Sequence, residues 1–187
     1  MTRRRKSYGF KEQLIRGQIG VMLAKMVLRS RYPIIIDYDR DMDMQRRGID
    51  AFVEGLGFIE VKTDSQFNTG NFFLEVSVGS KPGTIDHSGA DFICYIFPAA
   101  HVLYLLPRPH IVKWLRDKWA WCKRNNKIKT IQSHEGRDTW EAKGVIVQRE
   151  TLVRAIRRMR GKVIVIKWDE SEEVLARTHW EELNNGG

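Results

Sequence analysis

The chain has 187 residues, with 32 Lys and Arg against 23 Asp and Glu, giving a formal charge of +9 and a pI of about 9.7. That length is enough for one domain whose core needs no staple, and the surplus of cations favours a polyanionic partner over a neutral small substrate. No apolar run approaches a membrane span, and neither a Walker-type glycine loop nor a Gly-X-Ser-X-Gly elbow occurs, so ATP hydrolysis and acyl transfer have no foothold.

Residues 1–9 read as a basic arm without a signal-type apolar stretch; Arg3, Arg4 and Arg5 there either follow a phosphate track or aid solubility. Residues 10–30 read as a helix with an apolar stripe of Phe10, Leu14, Ile15, Ile19, Met22, Leu23, Met26 and Val27. Glu12 shares a face with Ile15, Ile19, Met22 and Met26. It either caps the helix start and pairs with Arg16, or reaches a site on a sheet beneath. Ile34 to Ile36 is expected as a short buried strand. Asp37, Asp39, Asp41 and Asp43 then alternate without the Gly and terminal Glu of a calcium loop, which predicts a solvated acidic turn.

Gly48 to Lys62 reads as two strands joined by a turn at Glu54, Gly55 and Leu56. If Val53 pairs with Gly57, Asp50 lies across from Glu60. Glu60 and Lys62 then share one face while Ile59 and Val61 point into the core. Two adjacent carboxylates repel, and one takes up a proton unless a cation sits between them. A hard divalent ion such as Mg2+ suits oxygen ligands and keeps waters for a phosphate substrate. Lys62 is suited to orient or deprotonate a water, or to neutralise charge on a phosphoryl group.

Thr63 to Gly70 reads as a polar loop; Ser65, Gln66, Asn68 and Thr69 there either touch a polyanionic partner or are an ordinary solvated connection. On the strand Phe72 to Val78, Glu75 faces either the carboxylate patch or solvent. Phe92–Phe97 and His101–Leu106 are expected in strand or mixed form, with a helix at 109–124, a strand at Val145–Gln148, a basic helix at Glu150–Arg160 and a strand at Val163–Trp168. Lys113, Lys123 and Arg124 interleave with Trp114, Trp119 and Trp121, and Arg157 and Arg158 mark a second cationic helix end. The cations suit phosphate contact and the tryptophans suit packing. Cys94 and Cys122 lack ligand spacing and predict free thiols in a reducing compartment, and His87 reads as loop structure. A frayed tail is expected at 184–187. The layer pattern is α/β or α+β with a central mixed sheet flanked by helices.

Asp50-X9-Glu60-X-Lys62 on a hairpin after a Glu-bearing helix resembles the PD-(D/E)XK nuclease superfamily, and most of all its Holliday-junction-resolvase-like and phage-type endonucleases. The resemblance runs from Glu12 through Asp91 and takes in Thr69 to Glu75, Gly79 to Gly83 and Ala90-Asp91; Ile49 stands where the nominal proline would be. It implies a restriction-endonuclease-like core over about 10–106, with a basic extension over about 107–183, in a single domain spanning 10–187. It also implies Mg2+, with Mn2+ able to substitute, held by Asp50, Glu60, the Val61 carbonyl and, as an outer ligand, Glu12. Lys62 would serve the attacking water and the scissile phosphate, and Glu75 would support the site. The expectation is a cytoplasmic, DNA-cutting homodimer acting on branched DNA, of the kind phages encode for use in the host. A sequence-specific homing or restriction-like cutter and a silent nucleic-acid-binding module remain as alternatives.

Overall fold

The computed structural model describes residues 10–33, 35–135 and 138–169, together with 174 and 178; the side chains of 10–14, 16, 133–135 and 138–140 lie outside that description. The expectations for residues 1–9, for Ile34 and for the tail therefore fall outside the described residues.

Helix α1 (Phe10–Arg29) repeats apolar residues at helical spacing and buries Leu23, Ala24, Val27 and Leu28 completely. Ile15, Ile19, Met22 and Met26 are only half-buried, so the deepest face is rotated from the expected stripe. The buried face lies on a six-stranded sheet built from β1 (Ile35–Asp37), β2 (Ala51–Val53), β3 (Gly57–Thr63), β6 (Phe92–Phe97), β7 (Val102–Pro107) and β10 (Ile164–Lys167). The strand order is β1-β2-β3-β6-β7-β10; β3 and β6 are parallel and every other pair is antiparallel.

Strands β4 (Asn71–Val78), β5 (Lys81–Pro82), β8 (Ile128–Glu135) and β9 (Asp138–Gln148) form a second, antiparallel sheet in the order β5-β4-β9-β8. Its Phe72, Leu74, Val145 and Val147 pack with Ile93, Tyr95 and Phe97 of β6. The alternate β6 residues, Cys94 and Ile96, join the α1 core instead. The central sheet is thus covered on both faces. Helices α3 (Thr84–His87), α4 (Arg108–Arg124) and α5 (Arg149–Arg158) complete the second core with Ile85, Trp114, Leu115, Leu152 and Ile156.

The mixed α/β architecture with a mixed central sheet agrees with expectation, while three details depart from it. β1 is an edge strand paired only to β2, so Ile36 is exposed rather than buried. A short helix, α2 (Met42–Arg46), begins at the end of the expected turn because the Asp41 side chain accepts from the Asp43 and Met44 amides, each at 3.0 Å. The polar segment Ile128–Glu135 is a strand through its pairing with β9. Among the described residues no helix is long and apolar enough to cross a membrane.

Candidate active site

The β2–β3 hairpin sets the site. Val53 lies across from Gly57 and Ala51 from Ile59, and extending that register brings Asp50 opposite Glu60. The Asp50 amide donates to the Ile59 carbonyl at 2.9 Å, continuing the ladder one residue past β2. Gly57 is required at the turn exit. Its φ is +103°, and a Cβ there would collide with the Asp91 carboxylate, which accepts from the Phe58 amide at 2.9 Å.

Strand alternation does the rest. Ile59 and Val61 are buried against α1, and Glu60 and Lys62 take the opposite face. Glu60 is 8 % exposed. Its Oε1 lies 2.9 Å from Lys62 Nζ, and its Oε2 is buried with no hydrogen-bond partner. A Cβ on Gly48, where φ is +63°, would stand 3.1 Å from that Oε2. The Ser88 hydroxyl donates to the Gly48 carbonyl at 2.7 Å and fastens this segment beside α3.

Asp50 Oδ2 accepts from the Val61 amide at 2.6 Å. Burial pushes the Asp50 carboxyl above its ordinary range, against the Val61 hydrogen bond, and the Glu60 charge adds to the push. Burial disfavours the Lys62 ammonium, yet the charges of Glu60, Glu75 and Asp50, with the Glu60 ion pair, outweigh it and raise its pKa. Lys62 is therefore held as a cation. Glu75 sits beside a bulge of β4, where its Oε1 accepts from the Thr84 hydroxyl at 3.0 Å and from the Thr84 amide at 3.3 Å. Its charge adds to those that raise the Lys62 pKa, and the carboxylate itself is held on Thr84.

The other predicted positions lie elsewhere or outside the description. The Glu12 side chain and Arg3, Arg4 and Arg5 fall outside the described residues. Gln66 is exposed, and its amide donates to Asp64 Oδ1 at 2.6 Å in the loop after β3. On α4, exposed Lys113 pairs with Asp117 at 3.1 Å, and Lys123 lies 5.6 Å from the Trp119 ring centroid. Arg124, Arg157 and Arg158 are exposed in the last turns of α4 and α5, which pack together. Trp114 anchors the core as expected, whereas Trp121 is exposed. Cys94 and Cys122 are free and buried, and burial pushes both thiols up. His87 ends α3, with its Nε2 hydrogen-bonded to the Arg46 carbonyl.

The acidic turn needs correction. Asp37 and Asp39 are not merely solvated: both pair with Lys25 of α1, because a buried ammonium requires partners. Sequence reasoning missed Lys25, Gly48 and Thr84. Lys25 had a signal, since it is a lone cation within Val21 to Leu28. Gly48 and Thr84 had none short of the folded chain.

Among the described residues no three His, Cys, Asp or Glu side chains come close enough to hold an ion by themselves. The pair Asp50 and Glu60 supplies hard oxygen donors, one of them unpartnered and buried, which fits a Mg2+-like ion that keeps open positions for water and phosphate. Comparison with known proteins finds no matching family model, curated protein or solved structure.

Proposed function

We propose that the chain is a metal-dependent DNA endonuclease of the PD-(D/E)XK type, hydrolysing phosphodiester bonds in branched or otherwise structured DNA. One observation carries this reading: Glu60 Oε2 is buried and unpartnered beside Asp50, while Lys62 occupies the other oxygen. A buried carboxylate oxygen without a donor is costly unless a cation completes it. The central mixed sheet with α1 across it is compatible with a restriction-endonuclease-like core.

In this reading Asp50 and Glu60 would hold Mg2+ or Mn2+, with the Val61 carbonyl and Glu12 proposed as further ligands. When bound, the ion supplies Lewis-acid polarisation of a phosphoryl oxygen and acidifies a water. The Val61 amide fixes one Asp50 oxygen, leaving the other directed by the hairpin. Lys62, oriented by Glu60, would present its ammonium to the scissile phosphate and neutralise charge as it develops there. Held as a cation, it suits water orientation and charge neutralisation better than proton abstraction. The exposed cations on α4 and α5 add sequence-independent phosphate contacts. Two copies acting as a dimer in the cytoplasm would cut paired strands.

The test is cleavage of linear, supercoiled and four-way-junction DNA with Mg2+ or Mn2+, comparing wild type with Asp50→Ala and Lys62→Ala. Metal-dependent cutting lost in both variants is the expected result. No metal-dependent nicking of any substrate, with DNA binding retained, overturns the enzyme and leaves a binding module. Preference for the junction over matched duplex separates a resolvase from a sequence-specific cutter, and gel-filtration mass reads the dimer.

A further inference from the structure

Lys25 is the one Lys or Arg among the described residues that is buried, at 2 % exposure. An ammonium stripped of water costs several kcal/mol unless it is closely paired. Its partners lie across a layer: Nζ is 2.7 Å from Asp37 Oδ1 and also pairs with Asp39 Oδ1. Asp37 Oδ1 in turn accepts from the Asp39 amide at 2.9 Å, so both carboxylates and the bend between them are fixed to α1.

That bend touches the candidate site through the backbone. Asp37 ends β1 opposite Ala51, and the next amide, Tyr38, donates to the Asp50 carbonyl at 3.1 Å. On its other side Asp50 donates to Ile59 and accepts from Val61. Asp50 is therefore held between β1 and β3. β3 is a long strand anchored in the α1 core, whereas β1 is a three-residue edge strand with Ile36 exposed. The short edge is the weaker jaw, and Lys25 is its tether to α1. Asp37 and Asp39 pair with this tether directly, while Arg29 acts through charge on Asp37 and Lys25 on Asp50.

We propose that Lys25 is a positioning residue for Asp50: by pinning Asp37 and Asp39 to α1 it holds the Tyr38 amide on Asp50 and so sets where the Asp50 carboxylate stands. Its consequence for metal affinity rests on the endonuclease reading; the positioning itself does not.

The experiment compares wild type, Lys25→Met, Lys25→Arg and Asp39→Asn by backbone-amide NMR hydrogen exchange without metal, then by calorimetric titration with Mn2+ alone. The Val61 amide reports the Asp50 carboxylate directly. Lys25→Met is expected to speed exchange at Val61 and Tyr38 about tenfold while α4 and α5 amides keep their protection. Mn2+ affinity is expected to fall about tenfold, and Lys25→Arg is expected to restore both readouts. A folded Lys25→Met with wild-type exchange at Val61 and Tyr38 overturns the proposal, as does failure of Lys25→Arg to rescue. If Lys25→Met does not fold, Asp39→Asn, altered at a half-exposed carboxylate, decides by the same amides. A wild type that binds no Mn2+ counts against the endonuclease reading alone, because the amide readout still judges Lys25.

Discussion

Lys62 Nζ lies 2.9 Å from Glu60 Oε1, two residues away on one strand face, and this contact leaves the other Glu60 oxygen buried and without a donor. An ion pair that satisfies one oxygen and strands its twin is asymmetric. Asp50 on the neighbouring strand adds a second carboxylate, which burial already pushes toward protonation. On the endonuclease reading, a divalent cation would complete the two carboxylates where Lys62 leaves an oxygen bare.

A bound ion should therefore stabilise the fold. At a hundredfold excess over its Kd, Mn2+ is expected to contribute about 2.7 kcal/mol, or roughly 5–10 °C of melting temperature for a chain of this size. Asp50→Asn should lose this shift. Without metal it should melt no lower than wild type, because it removes a charge that burial disfavours while its amide oxygen still accepts from Val61. Thermal unfolding with and without Mn2+ checks both statements.

Two glycines should separate stability from activity. Gly57→Ala, with φ at +103° and the Asp91 carboxylate in the way, is expected to cost about 1–3 kcal/mol in denaturant unfolding. Gly48→Ala should cost less, because φ of +63° is the left-handed helical region that side chains tolerate best. Its Cβ would crowd Glu60 Oε2 at 3.1 Å, however, and cleavage should fall about tenfold or more from the displaced carboxylate.

Acid and neutral stability should respond to two aspartates with opposite sign. Burial pushes Asp37 up, but the Lys25 hydrogen bond, the Asp39 amide and nearby cations outweigh it and hold the carboxyl below 3.8. Its contribution is present above the unfolded value and is lost as pH falls through the folded one. Asp37→Asn should then destabilise at pH 7 and cease to matter in strong acid. Burial raises Asp64 above 3.8 despite the Gln66 amide and the Arg149 charge. Its contribution is present below the unfolded value and is lost as pH rises through the folded one, so Asp64→Asn should stabilise at pH 7. Melting curves across pH for each variant test the signs.

If DNA is the ligand, the exposed cations should show in the salt dependence of binding. Replacing Arg124, Arg157 or Arg158 by Ala is expected to lower the log–log salt slope by about one for each phosphate no longer neutralised, with equal effect on unrelated sequences. Lys113, already paired with Asp117, should contribute less. Fluorescence anisotropy over a salt series checks the ranking.

The hairpin was legible because its determinants are local: strand alternation puts Glu60 and Lys62 on one face, and the glycine turn fixes the register that brings in Asp50. Helix α4, strands β6 and β7 and the strand at Ile164–Lys167 were legible for the same reason. Strand β8 was not, since Lys129, Thr130 and Gln132 carry no apolar alternation and become a strand only by pairing with β9. Nor was the departure of β4 from the central sheet, which follows from its ladder with β9 and its packing against β6.

By itself the sequence determined the chemistry available here: two carboxylates and an ammonium at a spacing that any β-hairpin would bring together, on a strongly basic chain. Only the tertiary structure decided that Glu60 keeps a bare buried oxygen, that Glu75, on a second sheet, is fastened to Thr84, and that Lys25 ties the edge strand beside Asp50. The physical reason is range. Periodicity and turn geometry act over a few residues, whereas burial, unpaired donors and cross-layer ion pairs depend on chain segments far apart in sequence.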